Sequence, residues 1–79
     1  MEIEVLVFAT LRRYIPELSI GESKLIEVSK DATIAQVIKV VGLPEDEIKV
    51  IMRNHRHANL GDKVHHGDRI AFIPAVGGG

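Results

Sequence analysis

Gly77, Gly78 and Gly79 close the chain without a side chain among them, so the chemistry they can offer is that of the backbone and its terminal carboxylate. Glycine loses the most conformational freedom on ordering, and three at a terminus are expected to be mobile unless something ties them down. Two readings stand side by side: a frayed end or cloning scar, and a slender arm that presents a carboxylate for reaction. The glycines do not form a phosphate-cradling loop, because no helix follows them. His55, His57, His65 and His66 fall in H-x-H and H-H spacings. These lack the helical i, i+4 arrangement and a clear acidic fourth ligand, so they read as solvated loop histidines with no metal. Glu45, Asp46 and Glu47 read as a charged surface turn. With no cysteine, disulfides, thiolate catalysis and Cys-type zinc sites are excluded.

The elements that must position such an arm belong to a small domain. At 79 residues the chain is near the lower limit for a single hydrophobic core. A hydrophobic content of 46% argues against disorder. Val and Ile dominate the apolar set, with only Phe8, Tyr14 and Phe72 as aromatics, which favours a sheet-rich core. Ten basic and eleven acidic residues give a net charge of −1, with no electrostatic footprint for nucleic acid or a membrane surface. The start, MEIEVLVFA, lacks the basic flank and cleavage pattern of a signal peptide, and no apolar run reaches the roughly 20 residues that span a bilayer. A cytoplasmic location is expected. So short a chain has little room for a deep pocket, so function is expected on a surface or at a terminus.

Along the chain, Ile3–Ala9 alternates as a strand, with Ile3, Val5 and Val7 on one face and Glu4, Leu6 and Phe8 on the other. Both faces are largely apolar, which suits a central strand or a face kept for a partner. Thr10–Ser23 reads as a loop punctuated by Pro16 and Gly21, and Lys24–Ser29 as a second strand forming a hairpin with the first. Asp31–Gly42 is the best helix: Thr33 and Gln36 fit a capping box, Ile34, Val37, Ile38 and Val41 form one buried face, and Gly42 supplies a left-handed stop. A single helical turn is expected from Pro44. Ile48–Arg53 is a strand whose inward face is open, since Val50 and Ile51 are both good core candidates. Asn54–Asp68 is a polar connection with turn signals at Gly61-Asp62 and Gly67-Asp68, holding a short strand or turn. Arg69–Val76 is the last strand, with regular pairing expected to end near Pro74. One helix among strands implies a sheet wrapped over it, with Ile34, Val37, Ile38 and Val41 packed on Ile3, Val5, Val7, Ile70 and Phe72.

Val5–Arg12 (VLVFATLR), Asn54 at the end of the third strand, and Gly67–Gly79 (GDRIAFIPAVGGG) carry a resemblance to the MoaD/ThiS family of ubiquitin-like sulfur carriers, closest to the MoaD branch. The resemblance covers nearly the whole chain. It implies an α+β fold, the ubiquitin-like β-grasp, with a mixed sheet of four to five strands packed on one helix. Residues 1–76 would form the domain and 77–79 a flexible glycine tail.

The resemblance also implies a function. The Gly79 carboxylate would be adenylated by an enzyme like those that activate ubiquitin, because a carboxylate is a poor electrophile and an acyl-adenylate has a phosphate leaving group. Sulfur would replace AMP to give a thiocarboxylate, which serves molybdenum or tungsten cofactor synthesis inside the large subunit of molybdopterin synthase. Gly77 and Gly78 would let the arm thread a narrow channel. No catalytic side chain and no bound cofactor are expected, ATP being used by the adenylating partner. Partners are the large subunit, the adenylating enzyme and a sulfur donor, met through Phe8, Ile73 and Val76, with Arg12 matching a loop arginine of the family. His57 stands where close relatives place an apolar contact residue, a role Leu60 is expected to take over. Two other outcomes share the adenylate: conjugation of Gly79 to lysines of target proteins, and carriage of sulfur for thiamine or another metabolite.

Overall fold

Alternation along the first strand decides which side of the sheet becomes the core. The structure is a computed structural model that describes residues 1–19 and 21–75. Among them are five strands: β1 (Glu2–Val7), β2 (Lys24–Glu27), β3 (Ile48–Arg53), β4 (Arg56–His57) and β5 (Arg69–Pro74). They form one mixed sheet in the order β2-β1-β5-β3-β4. β1 runs parallel to β5, setting Val5 beside Ile70 and Val7 beside Phe72. The β1–β2, β3–β5 and β3–β4 pairs are antiparallel, so the expected first hairpin is present. β5 stops at Pro74, whose ring nitrogen has no proton for a ladder bond. The arrangement is the ubiquitin-like β-grasp.

Helix α1 (Ile34–Val41) lies against the face carrying Ile3, Val5, Val7, Ile70 and Phe72. Its start is held by the expected capping box: the Thr33 hydroxyl accepts the Gln36 amide, and the Gln36 side chain accepts the Thr33 amide. Gly42 ends it at φ 86, the left-handed conformation that costs glycine least. Ile34, Val37 and Ile38 are buried and Val41 packs at the margin, so the expected core is present. Burying a side chain of this size is worth about 1.5–3 kcal/mol.

Two features depart from the sequence reading, and a third settles a strand face that it left open. Ala9–Tyr14, expected as loop, is a 3-10 helix that drives Leu11 into the core at 0% exposure, followed by Ile15. In β3 it is Ile51, opposite Phe72, that faces the core. Ile48 packs there too, despite its odd separation from Ile51. The reason is a β-bulge: Ile48 stands opposite Pro74 and Val50 opposite Ile73, leaving Lys49 as the extra residue. Finally, Arg53 pairs with Arg56 across Asn54 and His55, at φ 51 and 71, a two-residue turn whose twist matches a hairpin.

Candidate functional site

The face of the sheet away from α1 is where the alternation leaves apolar side chains without a core. Leu6 and Phe8 follow one another on it, Ala71 and Ile73 stand alongside, and Met52 opposes Ala71. Together they line an open groove of about 260 Å³, with His55 and Arg69 as its polar members. Phe8 is 42% exposed, an unusual state for so large an apolar ring. Ile73 stands one residue before the end of β5, so the groove reaches the point where the chain leaves the sheet. Phe8 and Ile73, paired on one face by sequence parity, are therefore brought together. Val76, Gly77, Gly78 and Gly79 lie outside the described residues, and with them the division into domain and tail.

The other expected contact residues are placed differently. The Leu60 carbonyl accepts the Ala35 amide at the start of α1, and its side chain borders a depression shared with Ile48, Ile51 and Ala58. That is the helix side of the sheet, away from the groove. His57 stands opposite Met52, and cross-strand partners share a face, so His57 keeps its place on the groove side. Arg12 is half-buried, and its Nη2 reaches the Leu18 carbonyl at 3.5 Å. Its Nε is buried with no hydrogen-bond partner among the described residues. The side chain thus lies against its own loop, with only part of its fork left for a partner.

Asn54 and Asp68 form a network that the sequence reading did not foresee. Asp68 is 8% exposed; its Oδ1 accepts the Asn54 amide side chain at 2.9 Å and its Oδ2 the His65 backbone amide at 2.8 Å. The Asn54 Oδ1 accepts the Arg69 amide at 2.9 Å. One carboxylate and one side-chain amide thus tie the β3–β4 turn, and His55 within it, to the start of β5. The signal was Gly67-Asp68 directly before an apolar strand, which marks a turn but not a buried acceptor.

The acidic turn is also partnered. Glu47 accepts from Tyr14 Oη at 2.8 Å and from Arg13 Nη2 at 3.1 Å. The hydrogen bond to Tyr14, then the charges of Tyr14 and Glu47, raise the Arg13 guanidinium above its ordinary value, so Arg13 stays a cation across the accessible pH range. Among the histidines, His66 Nδ1 accepts the Glu2 amide at 3.0 Å, and His65 Nδ1 lies 3.9 Å from Asp68. Among the described residues no helix is long and apolar enough to cross a membrane.

The sequence matches the ThiS family over residues 5–79. The chain belongs to the ThiS family. Solved structures share its fold: SAMP1, a small archaeal modifier protein of Haloferax volcanii, superposes with a TM-score of 0.77 at 25% identity, covering 100% of both chains. A Pyrococcus furiosus protein assigned as subunit 1 of a molybdopterin converting factor gives 0.74 at 19% identity, covering 95% of this chain and 98% of that one. A chain from the complex of subunits 1 and 2 of the Helicobacter pylori molybdopterin-converting factor gives 0.62 at 21% identity, covering 100% of both. Comparison with curated protein sequences returns no match. As a ThiS-family member with these neighbours, the chain is a ubiquitin-like sulfur carrier or modifier.

Proposed function

We propose that this ThiS-family chain carries sulfur as a thiocarboxylate on Gly79 and supplies it to molybdopterin synthesis as the small subunit of a two-subunit synthase. The observation that carries the reading is the groove of Leu6, Phe8, Met52, Ala71 and Ile73, an apolar docking face that ends where β5 leads toward the glycines. A partner seated there holds the domain at a fixed distance from its own reaction centre, and the arm covers that distance. Phe8 and Ile73 dock, Val76 extends the contact, and Gly77 and Gly78 pass the channel.

In the activating partner, a Gly79 carboxylate oxygen attacks the α-phosphorus of ATP, and pyrophosphate leaves. A sulfide-level donor then attacks the carbonyl carbon, and AMP leaves with the former carboxylate oxygen. The product has one sulfur in place of one oxygen. In the large subunit that sulfur attacks a carbon of the pterin precursor and displaces an oxygen leaving group. Water then attacks the Gly79 carbonyl carbon, breaking its bond to sulfur and restoring the carboxylate. The domain contributes placement only, and near-attack geometry is worth several orders of magnitude in rate.

Removing Gly78 and Gly79, or adding one alanine after Gly79, should leave the melting temperature and docking nearly unchanged and abolish adenylate and thiocarboxylate formation. The assay is intact mass after incubation with the cognate adenylating enzyme, ATP and sulfide. Ile73→Lys is the complementary arm: it should keep the fold and weaken docking. Full activity in the truncated chain would falsify the carrier reading.

The likeness to SAMP1 over the full length of both chains favours a second reading, conjugation of Gly79 to lysines through the same adenylate. Intact-mass analysis of protein from its native cell separates them. A single exchange of oxygen for sulfur supports carriage, whereas isopeptide-linked adducts support modification.

A further inference from the structure

We infer that Ala9 is a positioning residue of the groove: its left-handed backbone is what holds Phe8 outward on the open face. Phe8 is extended, at φ −121 and ψ 155, and its amide donates to the Phe72 carbonyl at 3.2 Å, so it continues the β1–β5 pairing for one more residue. Its own carbonyl then accepts the Leu11 amide at 3.1 Å, closing a tight reversal with Ala9 at the first central position and φ at 50. Leu11 emerges from that reversal fully buried in the core. Within three residues, one large apolar side chain stays in the groove and the next is driven to the opposite side of the sheet.

Ala9 is itself exposed, so no lack of space demands a small residue there. The backbone makes the demand. Among the described residues, the other non-glycine positions with positive φ hold Asp31, Asn54 and His55, types enriched in that region. Ala9 is the exception. A β-branched residue is a genuine outlier in the left-handed region. It would pull position 9 back to negative φ and turn the Phe8 ring or the Leu11 plug out of place. The inference rests on the proposed carrier reading only for what the groove is used for.

The two phenylalanines make the test possible, since Phe72 is fully buried and Phe8 is not. In protein with ¹³C-labelled phenylalanine, a soluble gadolinium chelate should broaden the Phe8 ring signals and spare those of Phe72. Ala9→Gly and Ala9→Asn, which accept positive φ, should keep both signals in place. Ala9→Val should shift the Phe8 ring signals and change their broadening while Phe72 stays put. Should Ala9→Val lose the parent Phe72 signal through unfolding, Ala9→Leu is read in its place. Binding to the large subunit should weaken at least about tenfold in the valine or leucine variant and recover in Ala9→Asn. An unmoved Phe8 ring in those variants, or an asparagine variant disturbed as much as valine, overturns the inference. If the parent chain binds no large subunit, the carrier reading falls, and the ring signals still decide the role of Ala9.

Discussion

Asp68 shows how a carboxylate can matter by accepting hydrogen bonds rather than by reacting. It receives the Asn54 side chain and the His65 amide from a site where water has little access. Replacing it with alanine leaves both donors without their acceptor, which should cost about 1–3 kcal/mol. Urea unfolding of Asp68→Ala should therefore reach its midpoint at a clearly lower concentration than the parent. An unchanged midpoint would mean that water takes over both bonds. Asparagine at 68 keeps one acceptor and should fall between the two. At the same scale, Phe8 and Ile73 were legible as a pair because strand residues two apart, and their neighbours in a parallel register, must share a face. Leu60 was misplaced because sequence proximity to His57 says nothing about which side of the sheet a connection crosses. His57 is held by a ladder partner, Met52, while Leu60 belongs to the turn that meets α1.

β3 is the element in which one residue decides a whole face. With Lys49 as the inserted residue, Ile48 and Ile51 both reach the core, and Val50 is left on the groove side. Deleting Lys49 should leave Ile48 opposite Pro74 and Val50 opposite Ile73 in a regular ladder, so the variant should fold with modest loss of melting temperature. Deleting Leu6 from the regularly paired β1 instead should be far worse, because with no bulge to absorb it a one-residue slip turns later side chains to the other face. Equal damage from both deletions would remove the bulge assignment. The same bulge explains why period-two reading could not choose between Val50 and Ile51. α1 was legible in full because its cap, its face and its stop are each written in residue types: Thr33 with Gln36, the Ile/Val spacing, and Gly42. The 3-10 helix at Ala9–Tyr14 was not, since six residues set no repeating pattern and the buried Leu11 stands among polar neighbours. The β3–β4 hairpin escaped notice because Asn54-His55 lacks the glycine that usually marks such a turn.

For the molecule as a whole, β1 and β5 hold everything else in place. Val5 is fully buried, with Lys24 across one side and Ile70 across the other. Aspartate there would bury an unpaired charge, costing at least about 3 kcal/mol. For a domain whose total stability is on the order of 5–15 kcal/mol, that is a large share. Denaturant unfolding of Val5→Asp should show it, and a variant as stable as the parent would dissolve the central core. The parallel register of these two strands also has a mechanical consequence. Glu2 opens β1 at one end of the pair, and Pro74 closes β5 at the other. Tension applied through the two ends of the chain draws the strands past each other along their length. Their cross-strand bonds then share the force in shear, and none can be peeled off first. A tug on the C-terminal segment is resisted by the whole central seam, so the domain can be hauled by its end and remain folded.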